Sequence, residues 1–154
     1  MDLSEDQIKS AYVYNFAKFV EWPAGAPRDD KIVLCVVGND VLGGTLSALE
    51  GRKAGGRELH IVQHTNASDS LNTCHLIYIG ASEQRRFVAI IKALGETPAL
   101  TISDIENFAE KGGSIGFVFR GNKIVFEVNF ASVQKSKLRL PSQLLNLASY
   151  VFGR

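Results

Sequence analysis

A chain of 154 residues is long enough to bury about two thirds of its unfolded surface in one core, so size alone calls for no staple. Seventeen basic and sixteen acidic residues leave a net charge of +1 with no long run of either sign, which argues against nucleic acid as a partner. No apolar run approaches the roughly 20 residues that span a bilayer. Met1 is followed by Asp2, Ser4, Glu5 and Asp6, not by a basic n-region and an apolar h-region, so the chain reads as cytosolic or as one whose leader has been removed.

Ser4 and Gln7 fit a capping box, in which each side chain satisfies the other's main-chain N–H, and predict a helix over residues 5–20. Ile8, Ala11, Tyr12, Phe16 and Phe19 share one face, and Val13, Ala17 and Val20 widen it. Asn15 falls inside this apolar face, where it needs hydrogen-bond partners. Pro23 ends the segment, and residues 24–30 read as a loop. Residues 31–37 predict a buried strand, followed by a short Gly-rich helix ending near Gly51 and by strands over 57–63 and 74–79. Ser82 is placed as the cap of a helix whose Phe87, Ile90, Ile91 and Leu94 follow the helical period and whose stop is Gly95. Residues 98–102 predict a short strand, and Ser103 with Glu106 a second capping box opening a brief helix up to Gly112.

The clearest stretch is 112–130. Two runs rich in Phe, Val and Ile flank Gly121-Asn122, which suits a two-residue type I′ or II′ turn. That turn sets Phe119 opposite Ile124, Phe117 opposite Phe126 and Ile115 opposite Val128, all on the core face. Gly116, Val118, Arg120, Lys123, Val125 and Glu127 form the other, mixed face. Asn129 suits the cap of a short helix, and Ser142 the start of a last one carrying Leu144, Leu145, Ala148 and Val151. The alternation predicts a single-domain α/β fold over residues 1–154: a mixed β-sheet flanked by helices on both faces, with a C-terminal antiparallel hairpin.

Candidate chemistry is sparse. Gly38-Asn39-Asp40-Val41-Leu42-Gly43-Gly44-Thr45 has the spacing of a phosphate-binding loop, but Gly44 stands where the phosphate-neutralising Lys belongs, and a tight strand-to-helix turn is the better reading. His60 and His64 have a helical metal-ligand spacing but are predicted on a strand, which sets them roughly 13 Å apart. No Ser, Cys or Lys nucleophile stands beside a base in a recognisable motif, so neither an enzyme nor a cofactor or metal site is expected. Cys35 and Cys74 are the only cysteines, and spacing leaves open whether they are buried free thiols or a disulfide. A bridge between them would contribute on the order of 4 kcal/mol and imply an oxidising compartment.

The segment 8–23 (Ile-Lys-Ser-Ala-Tyr-Val-Tyr-Asn-Phe-Ala-Lys-Phe-Val-Glu-Trp-Pro), together with 32–38, Pro98-Ala99-Leu100-Thr101-Ile102-Ser103-Asp104, the 108–129 region and Ser142-Gln143-Leu144-Leu145-Asn146-Leu147-Ala148, resembles the YfiR family of periplasmic regulators over nearly the whole chain. The resemblance implies a non-enzymatic repressor. Such a protein binds the periplasmic sensor part of an inner-membrane diguanylate cyclase, lowers cyclic-di-GMP and biofilm formation, and is sequestered by an OmpA-like outer-membrane lipoprotein. It also implies a disulfide between Cys35 and Cys74 and a redox influence on stability. A second cysteine pair found in some members is missing here, and Pro141 stands where Ser is frequent.

The excess apolar surface on the first and last helices points to Tyr14, Trp22 and Leu147 as residues at a surface for self-association as a homodimer or for the membrane partner. The alternative from another class is a periplasmic small-ligand-binding module feeding a sensor kinase or a transport system.

Overall fold

The computed structural model describes residues 4–23, 31–39, 41–64 and 71–154. The elements in chain order are α1 (Glu5–Phe19), β1 (Lys31–Val37), α2 (Val41–Leu46), β2 (Lys53–Ala54), β3 (Arg57–His64), β4 (Leu76–Ile79), α3 (Phe87–Leu94), β5 (Leu100–Ser103), β6 (Ile115–Arg120), β7 (Lys123–Asn129), α4 (Phe130–Lys135), α5 (Ser142–Leu145) and β8 (Tyr150–Phe152). The strands form one sheet in the order β2-β3-β1-β4-β5-β6-β7-β8. Strands β3, β1, β4, β5 and β6 run parallel, β2 pairs antiparallel to β3, β7 antiparallel to β6, and β8 parallel to β7. The expected α/β class, mixed sheet and C-terminal hairpin are all present.

Parallel strands in the middle of a sheet are covered on both sides and read as unbroken apolar runs, as β1 and β4 do. Alternate residues of each strand feed two cores. Leu34, Val36, Leu76, Tyr78, Leu100 and Ile102 pack with Val13, Phe16 and Ala17 of α1 and with Leu42 and Leu46 of α2. Cys35, Val37, Ile77 and Ile79 pack on the opposite face with Phe87 and Ile90 of α3 and with Phe108. Helices therefore cover both faces.

The capping box at Ser4 and Gln7 forms, and Val20 caps the other end of α1 in an extended conformation. The hairpin has the expected register, Ile115↔Val128, Phe117↔Phe126 and Phe119↔Ile124. Gly121 takes φ 64° at its turn, as a type II′ turn requires of its first central residue. Asn129 caps α4 by accepting from the Ser132 amide at 3.0 Å.

Four expectations are corrected. Ser82 caps no helix: its hydroxyl accepts the Asn39 amide at 3.0 Å, and α3 begins only at Phe87. The box at Ser103 does not open a helix either. Its hydroxyl donates to the Ile79 carbonyl and accepts from Ile105, and Asn107 at φ 62° turns the backbone out of the helical region. The last helix stops at Leu145, because the chain crosses to β7 as the parallel strand β8, led by the Ser149 amide on the Phe126 carbonyl. Asn15 is exposed and needs no buried partner. The loop expected over 24–30, and Asp40 within the glycine-rich run, lie outside the described residues.

In a sheet of this order the chain reverses direction of growth at β1, and ligands of such folds bind beyond the carboxyl ends of the strands at that point. Here Gly38, at φ 96°, lies so near the loop after β4 that a Cβ would stand 2.5 Å from Ser82 Oγ. The glycine serves close approach of two strand ends.

Candidate partner-binding surface

Helix α1 lies on the hairpin through aromatic rings. Tyr12 and Phe16 meet Phe117 and Phe126 at centroid distances of 5.2–6.3 Å, in tilted, stacked and edge-on arrangements. The Tyr12 hydroxyl donates to the Ile124 carbonyl at 3.0 Å, which fixes the helix over β7. At the margin of this contact an apolar groove of about 170 Å³ opens between α1 and the segment around α5. Tyr12, Phe16, Phe19, Phe126, Leu144 and Leu147 wall it. Leu144 is buried, whereas Phe19 is 43% exposed and Leu147 66% exposed. Large apolar side chains this exposed beside a formed groove are a feature of interaction surfaces.

The three residues singled out in the sequence do not share one patch. Leu147 stands on the groove, in the turn after α5. Trp22 lies in a neighbouring polar cleft of about 480 Å³ with Lys18, Glu21 and Arg57, and the two depressions share Phe19, Pro141 and Gln143. Its indole N–H donates to the His75 carbonyl. Tyr14 is turned toward the opposite flank of α1, where its hydroxyl donates to the Lys53 carbonyl and Arg52 lies 4.6 Å over its ring. Phe19, placed on the core stripe by its period, is the exposed member that periodicity missed. The signal available for it was its position in the last turn of the helix, where the apolar stripe outruns the hairpin beneath it.

Two ionisable groups away from the groove are set in opposite ways by their surroundings. Lys9, almost fully buried, pairs with Asp104 at 2.7 Å and Glu5 at 3.2 Å. Burial works against its charge, but the two carboxylates more than offset this and hold its pKa above the ordinary lysine value. His75 shows the opposite balance: burial, with a smaller contribution from Arg57, lowers its pKa to about 4, so the ring is neutral and accepts the Val33 amide at Nδ1. His60 is flanked by Glu50 at 3.0 Å and Glu58 at 3.5 Å. Cys35 and Cys74 are joined in a disulfide with Cα atoms 5.8 Å apart.

A family model described as YfiR/HmsC-like matches residues 6–149. The chain belongs to the YfiR/HmsC-like family. The family is one of periplasmic, non-catalytic regulators of diguanylate cyclase signalling, and among the described residues of this chain no helix is long and apolar enough to cross a membrane. Two solved structures share the fold. A conserved domain protein of Vibrio cholerae O1 biovar eltor str. N16961 is similar with a TM-score of 0.66 at 12% identity, over 97% of this chain and 61% of that one. A Streptococcus ABC domain in complex with L-Trp is similar with a TM-score of 0.57 at 10% identity, over 79% of this chain and 55% of that one. The YfiR/HmsC-like chain thus spans less than two thirds of each of these neighbours.

Proposed function

We propose that this YfiR/HmsC-like protein represses an inner-membrane diguanylate cyclase by stoichiometric binding of the cyclase's periplasmic sensor domain, lowering cyclic-di-GMP and biofilm formation. The groove flanked by exposed Phe19 and Leu147 carries the reading, because a member of a regulatory family acts through contacts and apolar anchors supply most of the affinity at an interface. Coupling follows from population shift. The repressor binds the inactive cyclase more tightly than the active one, and an OmpA-like outer-membrane lipoprotein relieves repression by competing for free repressor. A homodimer formed through the same groove would compete with both.

The test is Leu147→Glu and Phe19→Glu, assayed for fold by circular dichroism, for capture of the sensor domain and for cellular cyclic-di-GMP. The expected result is a folded protein, weaker capture and raised cyclic-di-GMP. Folded variants that repress as well as the parent would sink the groove as the docking surface.

The cleft beside Trp22 favours a second reading, a module that binds a small ligand for a sensor kinase or a transport system. Its volume of about 480 Å³ lies within the roughly 300–1,000 Å³ of small-molecule sites. Loss of ligand-dependent signalling with cyclic-di-GMP unchanged would support it over repression.

A further inference from the structure

Three side chains with metal-binding atoms meet on the α3 face of the sheet. The register pairs Cys35 with Val62 and Val37 with His64, so all four project from the same face. Cys74, in the turn that leads into β4, reaches Cys35 from the other side. One ring nitrogen of His64 and the two sulfurs all lie within 4.8 Å of one another, with both cysteines buried and His64 half-buried at the strand end. Among the described residues this is the one group of three such ligands.

We propose that, once the disulfide is reduced, Cys35, Cys74 and His64 form a binding site for a thiophilic cation of the Zn²⁺ class. Two thiolates and an imidazole are the donor set such ions select. The sulfurs must separate first, since tetrahedral bonds of about 2.3 Å to sulfur hold two sulfurs about 3.8 Å apart. Rotation about the two Cα–Cβ bonds supplies that movement, and the imidazole nitrogen needs to approach by about 1 Å to complete three bonds.

A dithiol delivers two electrons and two protons to the disulfide and is itself oxidised to a disulfide, leaving two thiols. The divalent ion then displaces both thiol protons. Two thiolates and one divalent cation have no net charge, so the complex can sit against Val37, Leu71, Ile77 and Ile79 without burying an uncompensated ion. The fourth position of a tetrahedral site is left for a water or an outside ligand. Bridge and metal use the same sulfur atoms and therefore exclude each other.

Co²⁺ is the probe. Protein reduced by a trialkylphosphine, which takes up oxygen from water as its oxide, is desalted without air and titrated. The expected result is one Co²⁺ per chain, with tetrahedral ligand-field bands and thiolate charge transfer, both abolished by Zn²⁺, and none of this in oxidised protein. His64→Gln, checked in its oxidised form for an unchanged melting temperature, should bind about tenfold more weakly or worse. Zn²⁺ should also slow re-formation of the bridge. Absence of Co²⁺ binding by the reduced protein, equal binding by His64→Gln, or binding only to a chain that has lost its near-ultraviolet dichroism would each overturn the proposal.

Discussion

The indole N–H of Trp22 donates to the main-chain carbonyl of His75 at 3.0 Å, and the two rings meet edge-on at 6.0 Å. His75 in turn accepts the Val33 amide, so one histidine ties the segment after α1 to both β1 and the start of β4. Trp22→Phe keeps the ring contact and loses the donor, and should lower stability by about 1 kcal/mol in urea denaturation. Trp22→Glu should cost more, because it places a charge against the sheet. A Trp22→Phe variant as stable as the parent would show that water replaces the bond.

His75 makes stability pH-dependent. Its folded pKa of about 4 lies below the ordinary 6.5, so between these values the unfolded chain binds the proton and the folded one does not. Its contribution is complete above pH 6.5, declines as pH falls toward 4, and changes no further below that. Replacing His75 with Gln should flatten this part of the melting-temperature profile while lowering the plateau, since the Val33 amide loses a well-placed acceptor. An unchanged slope between pH 6.5 and 4 would assign the acid sensitivity to other groups.

The disulfide closes a separation of 39 residues. Protein isolated without reductant should be lighter than the reduced chain by two hydrogens. Cys35→Ser with Cys74→Ser should lose about 2–5 kcal/mol. A double variant as stable as the parent would mean that the bridge adds nothing to the native contacts around it.

In the hairpin, Phe117→Ala and Phe126→Ala should each cost about 3–5 kcal/mol, because truncation of a buried ring leaves a cavity as well as losing burial. Phe119→Ala should cost little, since that ring is 56% exposed. Arg120→Ala removes an exposed arginine paired at 3.3 Å with the half-buried Glu127 and should also be mild. Equal losses at all four positions, read as melting temperatures, would contradict this division between buried and exposed positions.

Lys9 carries a charge that the fold must keep paired. Asp104→Ala should destabilise by up to about 3 kcal/mol, with Glu5 limiting the damage. Because the folded pKa of Lys9 is raised, its contribution is complete below 10.5 and is lost as pH rises through the higher folded value. Asp104→Ala should therefore remove part of the alkaline loss of stability, whereas retention of that loss would place it elsewhere.

Features governed by neighbours a few residues apart were legible. The capping box at Ser4, the turn at Gly121 and the hairpin register depend on local backbone chemistry, and all three formed. Ser82 and Ser103 carry a helix-cap signal as Ser4 does, but segments distant in sequence supply Asn39 and Ile79 as competing partners. Phe119 alternates correctly yet stands beyond the ring cluster built by α1, and only the length of helix over the hairpin decides where that cluster ends. The segment 148–152 shows the same effect. Its helical period is compatible with a continued helix, but the open edge of β7 offers main-chain partners that only the assembled sheet provides. At the candidate surface, Leu147 was readable as surplus apolar area, whereas the separation of Tyr14 from Trp22 depends on how α1 is rolled against β2.

The sheet ends in strands of two residues on one side, β2, and three on the other, β8. Each covers only part of the strand inside it: β2 pairs with Arg57 and Glu58 of the eight-residue β3, and β8 with Glu127, Val128 and Asn129 of the seven-residue β7. A partner strand laid against β2 or β8 themselves would find only a few main-chain groups to pair with. Among the described residues, the longer stretches of open edge are those that β2 and β8 leave uncovered on β3 and β7.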